Sequence, residues 1–397
     1  MTDASKENNT YIYQKKYYNG KDHHTRDDKK GHSEREHHDH RHPHAHKPGG
    51  IDALVFNEQD TRAFLNDGGG HFTASAQSLG SAGAATTGKV VLADFNGDGR
   101  PDVALARQIY PTQIWLNEGD NRFAFAGELP SAVTVQAADV NGDGKTDLLL
   151  GGAETSRVLY GDGHGSFTDS GQSLIGVGNF GDAALADLNG DGHPDAVLAN
   201  EQQPSRVYFN DGKGHFTDSG QRLPSGALSV AVGDLNGDHR PDIFLGINGT
   251  DQVWFNDGGM RFIDSGQRLP GAVRSWEVAL GDVNGDGATD AVVASNDPAP
   301  QVYLNDGKGH MHLGQQFNVG GADMVGVALA DLNGDGNLDV FLSNFSGPNQ
   351  VWFGHGNGQF SDSGQRLGGG RNLDAALGNL DATAVPKHAW MPHGPSA

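Results

Sequence analysis

The chain has no cysteine among its 397 residues, so neither a disulfide framework nor thiolate chemistry contributes to it. No run of 18 apolar residues occurs, which leaves no segment long enough to cross a bilayer as a helix. Positive charge is scarce. With 28 Lys and Arg against 50 Asp and Glu, the formal net charge of −22 repels a phosphate backbone or an anionic bilayer surface. Nucleic acid and membrane insertion are therefore not expected, and a monomer is. The opening Met1-Thr-Asp-Ala-Ser-Lys-Glu lacks the apolar stretch of a secretory signal. No Gly-x-Ser-x-Gly elbow and no His-Glu-x-x-His pair is present, which removes two common hydrolase arrangements.

What the chain does have is glycine, 60 residues of it, together with regular short apolar runs, and that pairing points to a turn-rich all-β architecture. Residues 1–50 stand apart. They hold nine of the 19 histidines and, beyond Met1, no aliphatic residue larger than alanine except Ile12. Too little apolar surface is available there to fold alone, so this His-rich charged tail is expected to be disordered. Its run His37–His46 is suited either to zinc, nickel or copper through imidazole nitrogens or to a solvated tail.

From residue 51 to 397 the sequence is periodic. Asp94-Phe-Asn-Gly-Asp-Gly-Arg-Pro-Asp102 recurs with its first Asp at 139, 187, 234, 282 and 331, at separations of 45, 48, 47, 48 and 49 residues. The nine-residue loops place oxygen side chains at positions 1, 3, 5 and 9. These are Asp94, Asn96, Asp98 and Asp102; Asp139, Asn141, Asp143 and Asp147; Asp187, Asn189, Asp191 and Asp195; Asp234, Asn236, Asp238 and Asp242; Asp282, Asn284, Asp286 and Asp290; and Asp331, Asn333, Asp335 and Asp339. A tight turn brings such groups together, and the carbonyl at position 7 (Arg100, Lys145, His193, Arg240, Ala288 or Asn337) can complete an all-oxygen shell for Ca2+. Asn-Gly and Asp-Gly alone would serve a hairpin turn. A turn does not require a carboxylate at position 9, and clustering anionic groups is costly without a cation. The spacing resembles the start of an EF-hand loop, but position 12 is Leu or Val rather than Glu, and an apolar strand follows rather than a helix. About six calcium sites are expected.

A second segment alternates with these loops: Arg62–Phe72, Gln113–Phe123, Arg157–Phe167, Arg206–Phe216, Gln252–Phe262, Gln301–Met311 and Gln350–Phe360. Each reads as a hairpin around an Asn-Asp-Gly type of turn. One unit is thus four strands, a to d; in the fourth copy they are expected at Ser229–Gly233, Ile243–Gly246, Gln252–Phe255 and Phe262–Gly266. About 48 residues per antiparallel unit is the size of a propeller blade. The expected fold is a seven-bladed β-propeller. A c–d half (Ile51 to Leu79) and an a–b half after Ala375 would close the ring. In that last half Asn379, Asp381, Thr383 and Lys387 fall at positions 1, 3, 5 and 9, and an ammonium at position 9 predicts an empty loop. In loop four His239 stands where the others have glycine, which strains a turn needing positive φ.

The six Asp-x-Asn-Gly-Asp-x-x-x-Asp loops, with segments such as Arg206-Val-Tyr-Phe-Asn-Asp-Gly-Lys-Gly-His-Phe216, resemble the FG-GAP or VCBS repeat family, the calcium-binding propeller of integrin alpha-chain heads and many bacterial surface or secreted proteins. The resemblance spans essentially all of 51–397. It implies structural calcium ions on one face, ligands on the other, and an extracellular or cell-surface location.

In a meandering blade the a–b and c–d connections share one face, and the b–c and d–a connections share the other. The latter differ from blade to blade: Arg107–Thr112, Glu201–Pro204, Gly271–Glu277, Asn296–Pro300 and Phe345–Pro348. Tyr110, Arg274, Trp276 and Glu277 are the candidate recognition residues, although for Trp276 simple packing between blades is the favoured reading. No acid, base or nucleophile cluster stands apart from the loops. A non-catalytic binding or adhesion module for a protein or glycan is the favoured reading. A lectin-like module or polysaccharide-acting enzyme on the same scaffold, and transition-metal binding by the tail, are the alternatives.

Overall fold

Short apolar runs punctuated by glycine turns form 28 strands in seven four-stranded antiparallel sheets, an all-β propeller among the described residues. A computed structural model of the chain describes residues 50–80, 83, 85, 87–270, 274–295 and 299–381. The His-rich tail up to residue 49, Gly271–Val273, Asn296–Pro298, Thr383 and Lys387 lie outside them. Blade four shows the expected unit, with strands at Ala227–Gly233, Asp242–Ile247, Gln252–Asn256 and Phe262–Asp264. The first strands of adjacent blades touch around a full circle, including Asn372–Gly378 of blade seven against Lys89–Ala93 of blade one.

Each b strand is apolar along its whole length because both of its sides are covered. In blade seven Ala53 and Val55 face the core shared with blade six, whereas Leu54 and Phe56 face the core shared with blade one. Seven apolar cores result, one at each blade interface, and they replace the half-solvated alternation of an ordinary antiparallel sheet.

Ring closure differs from the expected pairing of two halves. Blade seven is ordered Asn372–Gly378, Asp52–Asn57, Arg62–Asn66, Phe72–Ser78, so the N-terminal region contributes three strands and the C-terminal region one. Asp52–Asn57 is strand b, in register with 372–378 from Asp52 opposite Gly378 to Asn57 opposite Asn372. Its apolar run lacks a loop motif directly before it in sequence, which disguised it.

Glutamines on the outer strands clasp neighbouring blades. Gln221 Oε1 accepts the Phe262 N–H at 2.9 Å while its Nε2 donates to the Phe262 carbonyl. Gln77, Gln172, Gln267, Gln315 and Gln365 make the same kind of two-way contact. Blade one has no such glutamine: Gly127 takes the register position, and the next residue, Glu128, pairs with Arg107 at 3.3 Å.

Candidate metal centres and binding face

The six loops fold alike because the position-1 carboxylate caps the turn. Asp94 Oδ1 accepts the N–H groups of Gly97 (2.7 Å) and Asp98 (3.2 Å), and Oδ2 accepts that of Gly99 (2.8 Å). Asn96 Oδ1 accepts the Asp98 N–H at 2.9 Å, and Asp98 Oδ1 accepts the Arg100 N–H at 2.9 Å. Positions 1, 3 and 5 thereby each cap backbone N–H groups of the same turn. The pattern repeats from Asp139, Asp187, Asp234, Asp282 and Asp331. Position 6 takes a left-handed backbone in every loop, at φ 82° for Gly99 and φ 63° for His239. The expected strain at His239 is present.

The position-9 carboxylate has a second role that the spacing did not reveal. Asp102 is fully buried; its Oδ2 accepts the Phe95 N–H at 2.8 Å and its Oδ1 accepts the Asn117 N–H at 2.7 Å. Each loop aspartate at this position makes the equivalent pair of bonds, fastening the a–b loop to the c–d turn. Burial pushes the carboxyls of Asp102, Asp195 and Asp242 up to about 7, and those of Asp147, Asp290 and Asp339 up to about 6. The backbone N–H bonds oppose that rise, and the neighbouring loop carboxylates add to it.

The turn asparagines extend the link between blades. Asn117 Nδ2 donates to the carbonyl of Leu380 in the adjoining blade at 2.9 Å, and Asn256 Nδ2 donates to Leu188 at 2.7 Å. Gly161 and Gly354 replace the asparagine in blades two and six. There the backbone takes over, with Gly165 N–H donating to Phe95 O and Gly358 N–H to Val283 O, both at 3.0 Å.

The donor chemistry fits a hard divalent cation: all-oxygen, anionic, and carried by carboxylates that retain lone pairs beyond those used by backbone N–H groups. Among the described residues no three carboxylate, imidazole or thiol groups converge as a ready cage. Asn96 and its counterparts replace one carboxylate, and the position-9 oxygens turn toward the backbone. Position 7 sets the loops apart. The Arg100 and Arg240 guanidinium groups pair with Asp98 and Asp238 at 2.8 and 2.6 Å, and Lys145 lies 3.4 Å from Asp143. His193, Ala288 and Asn337 make no such ion pair with their position-5 aspartates among the described contacts. In blade seven Asp52 makes the position-9 contacts. Asp52 Oδ2 accepts the Leu380 N–H at 2.9 Å and Oδ1 accepts the Asn66 N–H at 2.8 Å.

The opposite face does not gather the four expected recognition residues into one patch. Glu277 is 1% exposed and reaches across the central axis to pair with Lys89, two first strands on opposite sides of the ring. It is an internal residue, and its place next to Trp276 in sequence misrepresented its direction: alternation along the strand turns it inward. Tyr110 lies on blade one, beneath the Arg107 guanidinium at 5.8 Å. Arg274 and Trp276 do meet, with the guanidinium 5.1 Å from the ring centroid. Trp276 also sits edge-on to Phe180 at 5.8 Å; Phe180 leads into the first strand of blade three and Trp276 lies on the first strand of blade five, so this contact reaches past blade four instead of joining adjacent blades. A third pair, Arg371 over Phe345 at 4.4 Å, was not anticipated, because its members are 26 positions apart.

The FG-GAP-like repeat pattern matches residues 49–105, 94–150, 139–198, 187–245, 234–293, 282–342 and 331–383. The chain belongs to the FG-GAP-like repeat family. Its fold is shared at low identity with solved propellers. A lectin from Agrocybe aegerita that recognises non-reducing terminal N-acetylglucosamine is 20% identical, with a TM-score of 0.56 over 84% of this chain and 96% of that one. A Burkholderia pseudomallei lectin is 17% identical (TM-score 0.54, 80% and 99% covered). A putative 6-phosphogluconolactonase from Bacteroides uniformis is 10% identical (TM-score 0.58, 83% and 99% covered). No curated protein matches the sequence. These FG-GAP-like repeats therefore supply the scaffold, and the site chemistry must come from the chain's own residues.

Proposed function

We propose that this propeller is a non-catalytic, calcium-stabilised binding module that takes a protein or glycan ligand on the face of its b–c and d–a connections. The observation that carries the reading is the asymmetry of the two faces. One repeats the same acidic loop six times, as a scaffold does; the other varies from blade to blade and holds the three arginine–aromatic pairs. The folds of the two lectins agree with a glycan ligand. The central Lys89 and Glu277, which an enzyme could have used as base and acid, are paired to each other. Calcium sites of extracellular modules bind at about 10⁻⁴–10⁻³ M, which suits an extracellular or cell-surface setting.

A glycan array and a protein-ligand screen, run with the calcium-loaded full chain, test this. Binding that weakens at least about tenfold in Trp276→Ala or Arg371→Ala, with unchanged calcium uptake, is expected. Turnover of a polysaccharide or a sugar lactone, or binding abolished only by changes on the loop face, overturns it.

A further inference from the structure

Nine Asn-Gly pairs occur in the chain, and eight of them lie within the described residues. In such a pair the glycine nitrogen has no Cβ beside it and can approach the asparagine side chain. The folded chain treats the eight pairs differently. In the six acidic loops Gly97, Gly142, Gly190, Gly237, Gly285 and Gly334 each donate their N–H to the position-1 carboxylate, at 2.7–2.8 Å. The asparagine before them is held too: Asn96 Oδ1 accepts the Asp98 N–H at 2.9 Å, and its Nδ2 donates to Asp98 Oδ2 at 3.2 Å. In the pair Asn357-Gly358 the glycine N–H donates to Val283 O at 3.0 Å.

Asn248-Gly249 is the exception. It forms the tip of the blade-four b–c connection on the variable face, between the strands Asp242–Ile247 and Gln252–Asn256. Asn248, Gly249 and Thr250 are all exposed. Both ends of the tip are fixed. The Asn248 N–H donates to Gly226 O at 2.9 Å, and the Asp251 carbonyl accepts the Leu269 N–H at 3.1 Å. Between those anchors, neither the Gly249 N–H nor the Asn248 side-chain amide has a hydrogen-bond partner among the described residues. Gly249 takes φ 132°, and a Cβ there would meet nothing within 4 Å, so no neighbouring group blocks the approach of its nitrogen.

We infer that Asn248 is a site of spontaneous covalent modification, deamidation through a cyclic imide, and that the fold protects the loop asparagines from the same reaction. The Gly249 nitrogen bonds to Asn248 Cγ, the Cγ–Nδ2 bond breaks, and the amide proton leaves with the side-chain nitrogen as ammonia. Water then opens the imide at either carbonyl. Opening at Cγ gives aspartate; opening at the main-chain carbonyl gives isoaspartate, whose backbone is longer by one methylene. Either product adds a carboxylate to the variable face at blade four. Ring closure begins as the glycine N–H gives up its proton. A carboxylate that accepts a hydrogen bond from that N–H disfavours the resulting anion, which is the protection the position-1 aspartates give. The chemistry needs only water and holds whichever ligand the face takes.

The test incubates the full chain in excess calcium at mildly alkaline pH, beside a urea-unfolded sample and the variant Asn248→Gln, whose longer side chain closes an imide far more slowly. Peptide mass mapping reads conversion at each Asn-Gly pair, and ion exchange reads the added negative charge. In the folded chain Asn248 is expected to convert at least about tenfold faster than any loop asparagine, the effect of one hydrogen bond to a carboxylate on a rate. In urea the pairs should convert at similar rates, because the caps are gone. Asn248→Gln should remove the early acidic species and melt close to the parent, since the side chain is exposed. Equal conversion at Asn248 and the loops of the folded chain overturns the inference. So does an Asn248 that stays intact when folded while the unfolded chain converts.

Discussion

Asp52 Oδ2 accepts the amide proton of Leu380 at 2.9 Å, joining residues 328 positions apart in the chain. Together with the Asn66 N–H on Oδ1, this buried carboxylate does for the ring seam what Asp102 does inside blade one. Replacing Asp52 by alanine strands two buried N–H donors. The cost is expected to be on the order of 2–4 kcal/mol. Denaturant unfolding of Asp52→Ala beside Asp60→Ala, a partly exposed neighbour, measures it; equal midpoints would remove the seam role.

His239 is a non-glycine residue at φ 63°, in a position that glycine fills in the other five intact loops. Its N–H still caps Asp234 at 2.8 Å, so the hydrogen bonding is intact and only the backbone is strained. His239→Gly is expected to raise stability by about 1 kcal/mol. Melting with saturating calcium checks this.

Divalent-cation affinity is expected to differ among the loops. A guanidinium on the position-5 carboxylate competes with an ion in loops one and four, and Ala288 offers no such competitor in loop five. Arg240→Ala should therefore tighten calcium binding several-fold at one site, as the removal of a like charge next to a cation does. Calorimetric titration resolves this, and an excess of calcium should raise the melting temperature of the parent markedly while a chelator reverses the gain.

Asp251 offers a pH handle away from the loops. It is fully buried, accepting the Ile247 N–H and the Ser275 hydroxyl at 2.9 Å each, and burial pushes its carboxyl up to about 7. The unfolded chain has an ordinary carboxylate near 3.9. The folded state thus holds this proton more tightly, and the contribution to stability is full below about pH 4 and lost as pH rises to about 7. Asp251→Asn should flatten the stability profile between those values. Unfolding at a series of pH values in excess calcium reads the difference, and parallel profiles for parent and variant would contradict it.

The repeat length, the four-strand unit and the acidic loops were legible because each is a local pattern. Turn glycines, alternating carboxylates and short apolar runs recur within nine to about 50 residues and specify one supersecondary unit. Even the strand limits of blade four agree to within one or two residues. Three features escaped such reading. Asp52 was not recognised as a position-9 residue because its loop is split between the two ends of the ordered ring. The Phe345–Arg371 pair joins separate connections, and the direction of Glu277 depends on which side of its strand faces the axis. Local sequence fixes what each blade is, since hydrogen bonding and periodicity act over a few residues. Only closure of the ring decides which charges meet across the axis and which terminus completes the seventh blade, because those contacts exist only once all seven blades are in place.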